Sequence, residues 1–215
     1  MAATELAPRL AALGLEVLGT APPDPDFTPP GTRAIALIGP MGGAVWWDIV
    51  TASPEWQDGT PDPIDRWSRR VLTGLAAEIG ATALFPFGGP PWLPFQRWAL
   101  ESGRAWQSPV MLLVHATSGL WVSFRGALAL PFALETGPLP NPCQTCADKP
   151  CLTACPAGAL TDAGYDVPAC HAFLDSAPGQ TCIGMGCRVR AACPVSVRHA
   201  RLPAQSAHHM SRFHP

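Results

Sequence analysis

Asn141–Leu160 reads NPCQTCADKPCLTACPAGAL, and Thr181–Val195 reads TCIGMGCRVRAACPV. The first stretch spaces its cysteines as Cys143-x2-Cys146-x4-Cys151-x3-Cys155-Pro156. The second spaces them as Cys182-x4-Cys187-x5-Cys193-Pro194. Cys170 stands between the two, and none of the eight cysteines precedes Cys143. A Cys-Pro closing each of two cysteine runs marks a chain that holds two [4Fe–4S] clusters, in which the last cysteine of each run ligates the other cluster. Iron prefers thiolate sulfur and four thiolates close one cubane, so eight cysteines account for two clusters with none left over.

Zinc and disulfides are the competing readings. Two all-thiolate zinc sites also need eight cysteines, but they come as paired C-x2-C knuckles, and only Cys143/Cys146 has that spacing. Disulfides need an oxidising compartment. The start, Met1-Ala2-Ala3-Thr4-Glu5-Leu6, lacks the basic region and apolar run of an export signal. The expectation is therefore a cytoplasmic protein with reduced thiols. One spacing departs from the ferredoxin pattern: Ala147-Asp148-Lys149-Pro150 makes an x4 gap where x2 is usual.

The rest of the chain has a different composition. All eight tryptophans (46, 47, 56, 67, 92, 98, 106 and 121) precede the first cysteine, and Pro138-Leu139-Pro140-Asn141-Pro142 marks the change. This divides the 215 residues into a domain over 1–138, a two-cluster domain over 139–198 and a tail over 199–215. A hydrophobic content of 47% supplies a core, yet no apolar run approaches the ~18–20 residues that span a bilayer. The net charge is −2, and Lys149 is the only lysine beside thirteen scattered arginines. No basic stripe suited to a phosphate backbone results, which disfavours nucleic acid as a partner.

Along the first domain, periodicity predicts a helix over 5–18, weakened by Gly14, and then a Pro-rich loop over 21–31. Ala34–Gly39 reads as a buried strand, and Gly39–Gly43 as a turn or a ligand approach. A helix is expected over 63–79, with Asp62 as N-cap, Pro63 at N1 and Gly80 at the C-terminus. Ile64, Trp67, Val71, Leu75 and Ile79 form its apolar face. A strand over 83–85, an irregular 87–92 and a helix over 95–103 follow. Val110–Val114 and Leu120–Phe124 predict a β-hairpin, and the order of elements gives an α+β class. Short helices are expected after each Cys-Pro, the first starting at Ala157–Leu160, and 201–213 reads as a helix packing back across the N-terminal domain.

Gly119-Leu120-Trp121-Val122-Ser123-Phe124-Arg125-Gly126-Ala127-Leu128, followed by Cys143–Leu160, resembles the iron–sulfur half of epoxyqueuosine reductase. The resemblance assigns one cluster to Cys143, Cys146, Cys151 and Cys193, and the other to Cys155, Cys170, Cys182 and Cys187. Counting agrees, because Cys170 is the one thiol outside the two runs. Asp62-Pro63-Ile64-Asp65, with Val114-His115 leading into Gly119-x-Trp121-x2-Phe124-Arg125-Gly126, more distantly resembles the fold shared by cobalamin-processing CblC-type chaperones and the same reductase. That likeness implies a nitroreductase/flavin-reductase-like N-terminal domain, followed by a small ferredoxin-like dicluster domain. It also implies a cobalamin (corrinoid) pocket near His115, Trp121 and Arg125. His115 and Arg125 each have an ordinary alternative: a hydrogen-bonded turn histidine and an ion-paired arginine.

The chain departs from that family in two places. No carboxylate stands in Phe87-Gly88-Gly89-Pro90, where the reductase carries its acid, and the chain ends about twenty residues after Cys193. Both point away from tRNA modification. Two functions follow as expectations. One is an iron–sulfur oxidoreductase that passes electrons to a corrinoid or small substrate in the first domain. The other is a ferredoxin-like carrier or docking module with no substrate of its own. Either needs a redox partner protein, a flavodoxin, ferredoxin or reductase. His171, beside Cys170, reads as a hydrogen-bond donor to cluster sulfur or as a surface residue. His199, His208, His209 and His214 make a poor metal site, because adjacent rings diverge on a helix.

Overall fold

The computed structural model describes residues 5–215; Met1–Thr4, read above for an export signal, lie outside the described residues. The architecture is mixed α+β and divides into two compact units. Unit one takes the chain up to Met41, Val45–Ala105 and Ser123–Leu139; unit two takes Gly42–Ala44, Trp106–Val122 and Pro140–Pro215. The final crossing, at Leu139/Pro140, falls in the Pro-rich link. The transfer of 106–122 to the cysteine-bearing unit has no signature in composition.

Unit one is built on β2 (Ala34–Pro40), an uninterrupted apolar run buried at all seven positions, as a strand covered on both faces should be. It pairs antiparallel with β1 (Leu15–Ala21) on one side and with β6 (Gly126–Leu130) on the other. β3 (Thr82–Leu84) adds antiparallel to β6, giving the order β1-β2-β6-β3. α4 (Pro63–Ile79) packs on β3 and β6, and α5 (Phe95–Glu101) on β1.

Several expectations need correction. The opening helix is only α1 (Leu6–Ala11); the chain turns at Gly14 and continues as β1. Gly14 has φ +66°, and a Cβ there would lie 2.5 Å from the Trp46 Cα, so only glycine fits the turn. Asp62 precedes α4 in the left-handed region, at φ 56°, and its side chain caps nothing. The buried face of α4 includes Ser68 and Leu72, whereas Val71 is only half-buried. β6 was not anticipated; its small residues, Gly126 and Ala127, carry a weak strand signal and gain their place by pairing with β2 and β3.

The hairpin over 110–124 does not form. Ser108 and Leu112 close a loop that holds Met111 at φ 62°, so Val110 lies in the loop. Only β5 (Leu113–His115) is a strand, and it pairs with β4 (Ala105–Gln107). Beyond it, His115 and Gly119 exchange backbone hydrogen bonds, and Leu120 leaves the ladder. Its N–H donates to Ser196 Oγ at 2.9 Å, and its carbonyl accepts from Arg190 Nη1 at 2.6 Å. Side chains satisfy this backbone in place of a second strand.

Unit two is assembled from short pieces. α6 (Pro142–Thr145) and a 3-10 turn (Pro150–Leu152) carry the first cysteines. β7 (Leu160–Thr161) and β8 (Gly164–Tyr165) make a small hairpin. α7 (Val167–Leu174), α8 (Gln180–Met185), α9 (Arg188–Ala192) and α10 (Pro194–His199) follow. Pro194 starts α10 at N1, as expected after Cys193. After Cys155-Pro156 there is a turn into β7, not a helix. α11 (Pro203–Phe213) is the predicted tail helix, but it packs on α8 within this unit. The core contains Val110, Val114, Leu120, Leu160, Val189 and Val195 together with Cys151 and Cys193.

Candidate metal centre

The eight thiols are all free; the resemblance divides them into two sets of four. In the first, Asn141 Oδ1 accepts from the Cys143 N–H at 3.0 Å and starts α6, whose end places Cys146 in extended backbone. Lys149, at φ 40°, turns the chain into the 3-10 segment bearing Cys151. Cys193 arrives from the far end of the unit as the N-cap of α10. Cys143, Cys146, Cys151 and Cys193 line one cavity of about 490 Å³, with Val114 and Leu120 on its apolar wall and Lys149 and Arg198 among its cations.

Burial pushes the Cys143 thiol up, and the neighbouring Cys193, Cys151 and Cys146 push it further, against a smaller opposing effect of Lys149. Cys151 is raised by burial and then by Cys193. Cys143 and Cys151 are therefore poor anions by themselves, and a bound cation would favour their thiolates.

The second set comes from the remaining elements. Cys155 ends the loop before Pro156, Cys170 lies on α7, Cys182 lies on α8 and Cys187 caps α9. Asp166 Oδ1 accepts from the Ala169 N–H at 2.9 Å and fixes the start of α7. Burial raises Cys170, Tyr165 opposes that rise, and Cys187 and Cys155 add to it. Burial also raises Cys182, whose neighbours are Cys187 and Cys170. The shifted thiols of each set thus feel only thiols of their own set. The sets are interleaved in sequence, since Cys193 joins the first and Cys155 the second.

Among the described residues, no three His, Cys, Asp or Glu side chains converge closely enough to hold a single metal ion. Mononuclear zinc draws four thiolates to about 2.3 Å from one centre; a four-iron cluster binds each thiolate at a different corner and needs a wider cage. The thiolate donors are of the soft type that an iron–sulfur cluster would require, and the cavity they line is walled by Val114 and Leu120 together with polar Ser108, Thr145 and Asp148.

The corrinoid residues are engaged elsewhere. His115 is buried at 1% exposure, and its Nδ1 accepts from the N–H groups of Thr117 (3.3 Å) and Ser118 (3.2 Å). It is a turn histidine. The Trp121 ring is covered by the Arg201 guanidinium at 4.9 Å. Arg125, which belongs to unit one, pairs with Asp65 Oδ1 at 3.2 Å. Burial pushes Asp65 up and Arg125 down, each offset by the other's charge. His115 and Trp121 belong to unit two and Arg125 to unit one, and each has a partner within its own unit.

His171 Nε2 is buried without a hydrogen-bond partner, while its ring meets Phe213 edge-on at 4.7 Å. His214 Nε2 pairs with Asp175 at 2.8 Å. The His208 and His209 rings lie 5.9 Å apart at 80°.

Two residues beside the second set were missed in the sequence. Burial, and then Cys170, push up the phenol of Tyr165, the only tyrosine, and burial pushes Arg190 on α9 down against the charge of Cys187. A lone tyrosine five residues before Cys170, and an arginine three after Cys187, are the available signals. No family model, curated protein or solved structure matches the chain.

Proposed function

We propose that this protein is an iron–sulfur electron-transfer protein whose second unit holds two [4Fe–4S] clusters. Cys143, Cys146, Cys151 and Cys193 would bind one, and Cys155, Cys170, Cys182 and Cys187 the other. The single observation that carries the reading is that Cys143, Cys146, Cys151 and Cys193, four free thiols from opposite ends of the cysteine-bearing segment, line one cavity. Such clusters store and pass single electrons at potentials set by charge, hydrogen bonds and solvent access. The chain's own part is to hold the thiols, exclude water through Val114, Leu120 and Val189, and place countercharge beside the sulfurs.

Of the two expected functions, the carrier is favoured over the substrate reductase, because His115, Trp121 and Arg125 are all occupied by other contacts. The partner is then a redox protein of the flavodoxin, ferredoxin or reductase class, and a cytoplasmic location suits reduced thiols. Kinship of unit two with dicluster ferredoxins, and of unit one with the flavin-reductase-like fold, belongs to the same proposal. The antiparallel sheet backed by α4 supports it. No helix among the described residues is long and apolar enough to cross a membrane.

The test is anaerobic reconstitution followed by metal analysis and visible spectroscopy. About eight irons per chain are expected, falling to about four in Cys193→Ser and in Cys182→Ser. Zinc without iron would overturn the proposal. A spectral shift on adding cobalamin would overturn the preference for a carrier.

A further inference from the structure

The cavity lined by Cys143, Cys146, Cys151 and Cys193 has a buried inner end and an exposed rim. Ser108, Val114, Leu120 and Val195 close it inside, whereas Thr145, Asp148, Lys149 and Arg198 stand exposed at its edge. Among the described residues, neither Lys149 nor Arg198 is paired with a carboxylate. Asp148 is the one carboxylate among the lining residues, so the rim is net positive. Two apolar side chains flank it. Met111, in the loop whose Ser108 and Pro109 line the cavity, is 49% exposed, and Val197, beside Arg198 on α10, is 66% exposed. Backbone hydrogen bonds of 2.8 and 3.0 Å close that loop, so Met111 is presented on fixed backbone.

Single-electron exchange between two proteins requires their redox groups to come close, and a thiol-lined cavity that opens on the surface meets that requirement. Exposed cations with no carboxylate in their own chain attract one from a partner, and apolar anchors among them supply the desolvated contact. We propose that this rim is the docking surface for an acidic one-electron carrier protein, whose carboxylates pair with Lys149 and Arg198 while its apolar face covers Met111 and Val197. This deepens the electron-transfer reading above and rests on it. The step breaks no bond: one electron leaves the reduced carrier, which is oxidised, and enters the cluster held by Cys143, Cys146, Cys151 and Cys193, which is reduced. Nucleic acid is also a polyanion, but two cations and an opposing Asp148 make no stripe for its phosphate row, and it leaves Met111 and Val197 without a use.

The probe is an oxidised flavodoxin of acidic surface, titrated into the reconstituted full chain and followed by calorimetry at low and at physiological ionic strength. Binding should weaken as salt rises, because exposed charges are screened beyond about 8 Å at physiological salt. Lys149→Gln combined with Arg198→Gln should weaken it about tenfold at low salt. Asp148→Asn should tighten it about threefold, a gain that a damaged fold does not give. Arg212→Gln removes an exposed cation of α11 outside the cavity and should leave the affinity unchanged. The inference is overturned if salt has no effect, if Arg212→Gln weakens binding as much as the rim pair does, or if Asp148→Asn weakens it. Equal affinity for a single-stranded oligonucleotide would overturn it as well. Iron analysis of the same samples reads the cluster proposal separately: an iron-loaded chain that binds no flavodoxin sinks this inference alone, and a chain without iron sinks both.

Discussion

Unit one and unit two meet the same requirement, a buried core, with different materials. Unit one has seven-residue strands, the seventeen-residue helix α4, and Trp46, Trp67 and Trp98 among its largest fully buried side chains. Trp46 and Trp67 meet edge-to-face at 6.3 Å. Unit two has strands of two or three residues and, before α11, helices of four to eight. Helices this short do not hold themselves in water, and part of the core they enclose is cysteine. A core of thiols is only as stable as what the thiols bind. The contrast teaches that unit one should fold on apolar burial alone, whereas folding of unit two should be coupled to metal.

The largest expected effect follows directly. Stripping iron with a chelator under anaerobic conditions should make 140–215 sensitive to limited proteolysis while unit one stays protected. Tryptophan fluorescence should change little, because only Trp106 and Trp121 lie in unit two. Equal protection of both units after iron loss would break the comparison.

A core truncation in unit one supplies the opposite arm. Trp67 is buried at 1% exposure on the inner face of α4. Trp67→Ala should cost about 3–5 kcal/mol in urea unfolding of unit one, with iron content unchanged. Loss of iron in proportion would show that the units do not fold separately.

The smallest effect concerns charge. Glu55, nearly buried, bonds Arg70, and that bond lowers its carboxyl from 4.5 to about 2. A depressed folded value means the pair stabilises unit one fully above about pH 4.5, and that this contribution is lost as pH falls through about 2. Glu55→Gln should therefore lower the urea midpoint at pH 7 and converge on the parent protein in strong acid. A constant gap at all pH values would assign the effect to packing instead.

Legibility in the sequence tracked how local each cause was. β2 and α4 could be read from an apolar run and a 3.6-residue period, both properties of neighbouring residues. Gly80 was also legible: it ends α4 in the left-handed region at φ 69°. Asp62 was not, because the turn before α4 holds it left-handed and removes its cap. Leu120–Phe124 had the apolar pattern of a strand, but the partners of Leu120 are Ser196 and Arg190, some seventy residues away. No local pattern carries that information.

The candidate site divides the same way. Cysteine number, the two Cys-Pro endings and the spacing are written in the chain, and the four thiols lining the cavity are four that the resemblance assigns together. The surroundings are not so written. That His115 is consumed by its own turn, that Trp121 lies under Arg201, and that Lys149 and Arg198 line the cavity of the first four thiols are products of folding. By itself the sequence determined which side chains can ligate and in what order they occur, since covalent spacing limits reach. Only the tertiary structure decided which charges and hydroxyls stand beside the sulfurs, because those fall off within a few ångströms and come from residues distant along the chain.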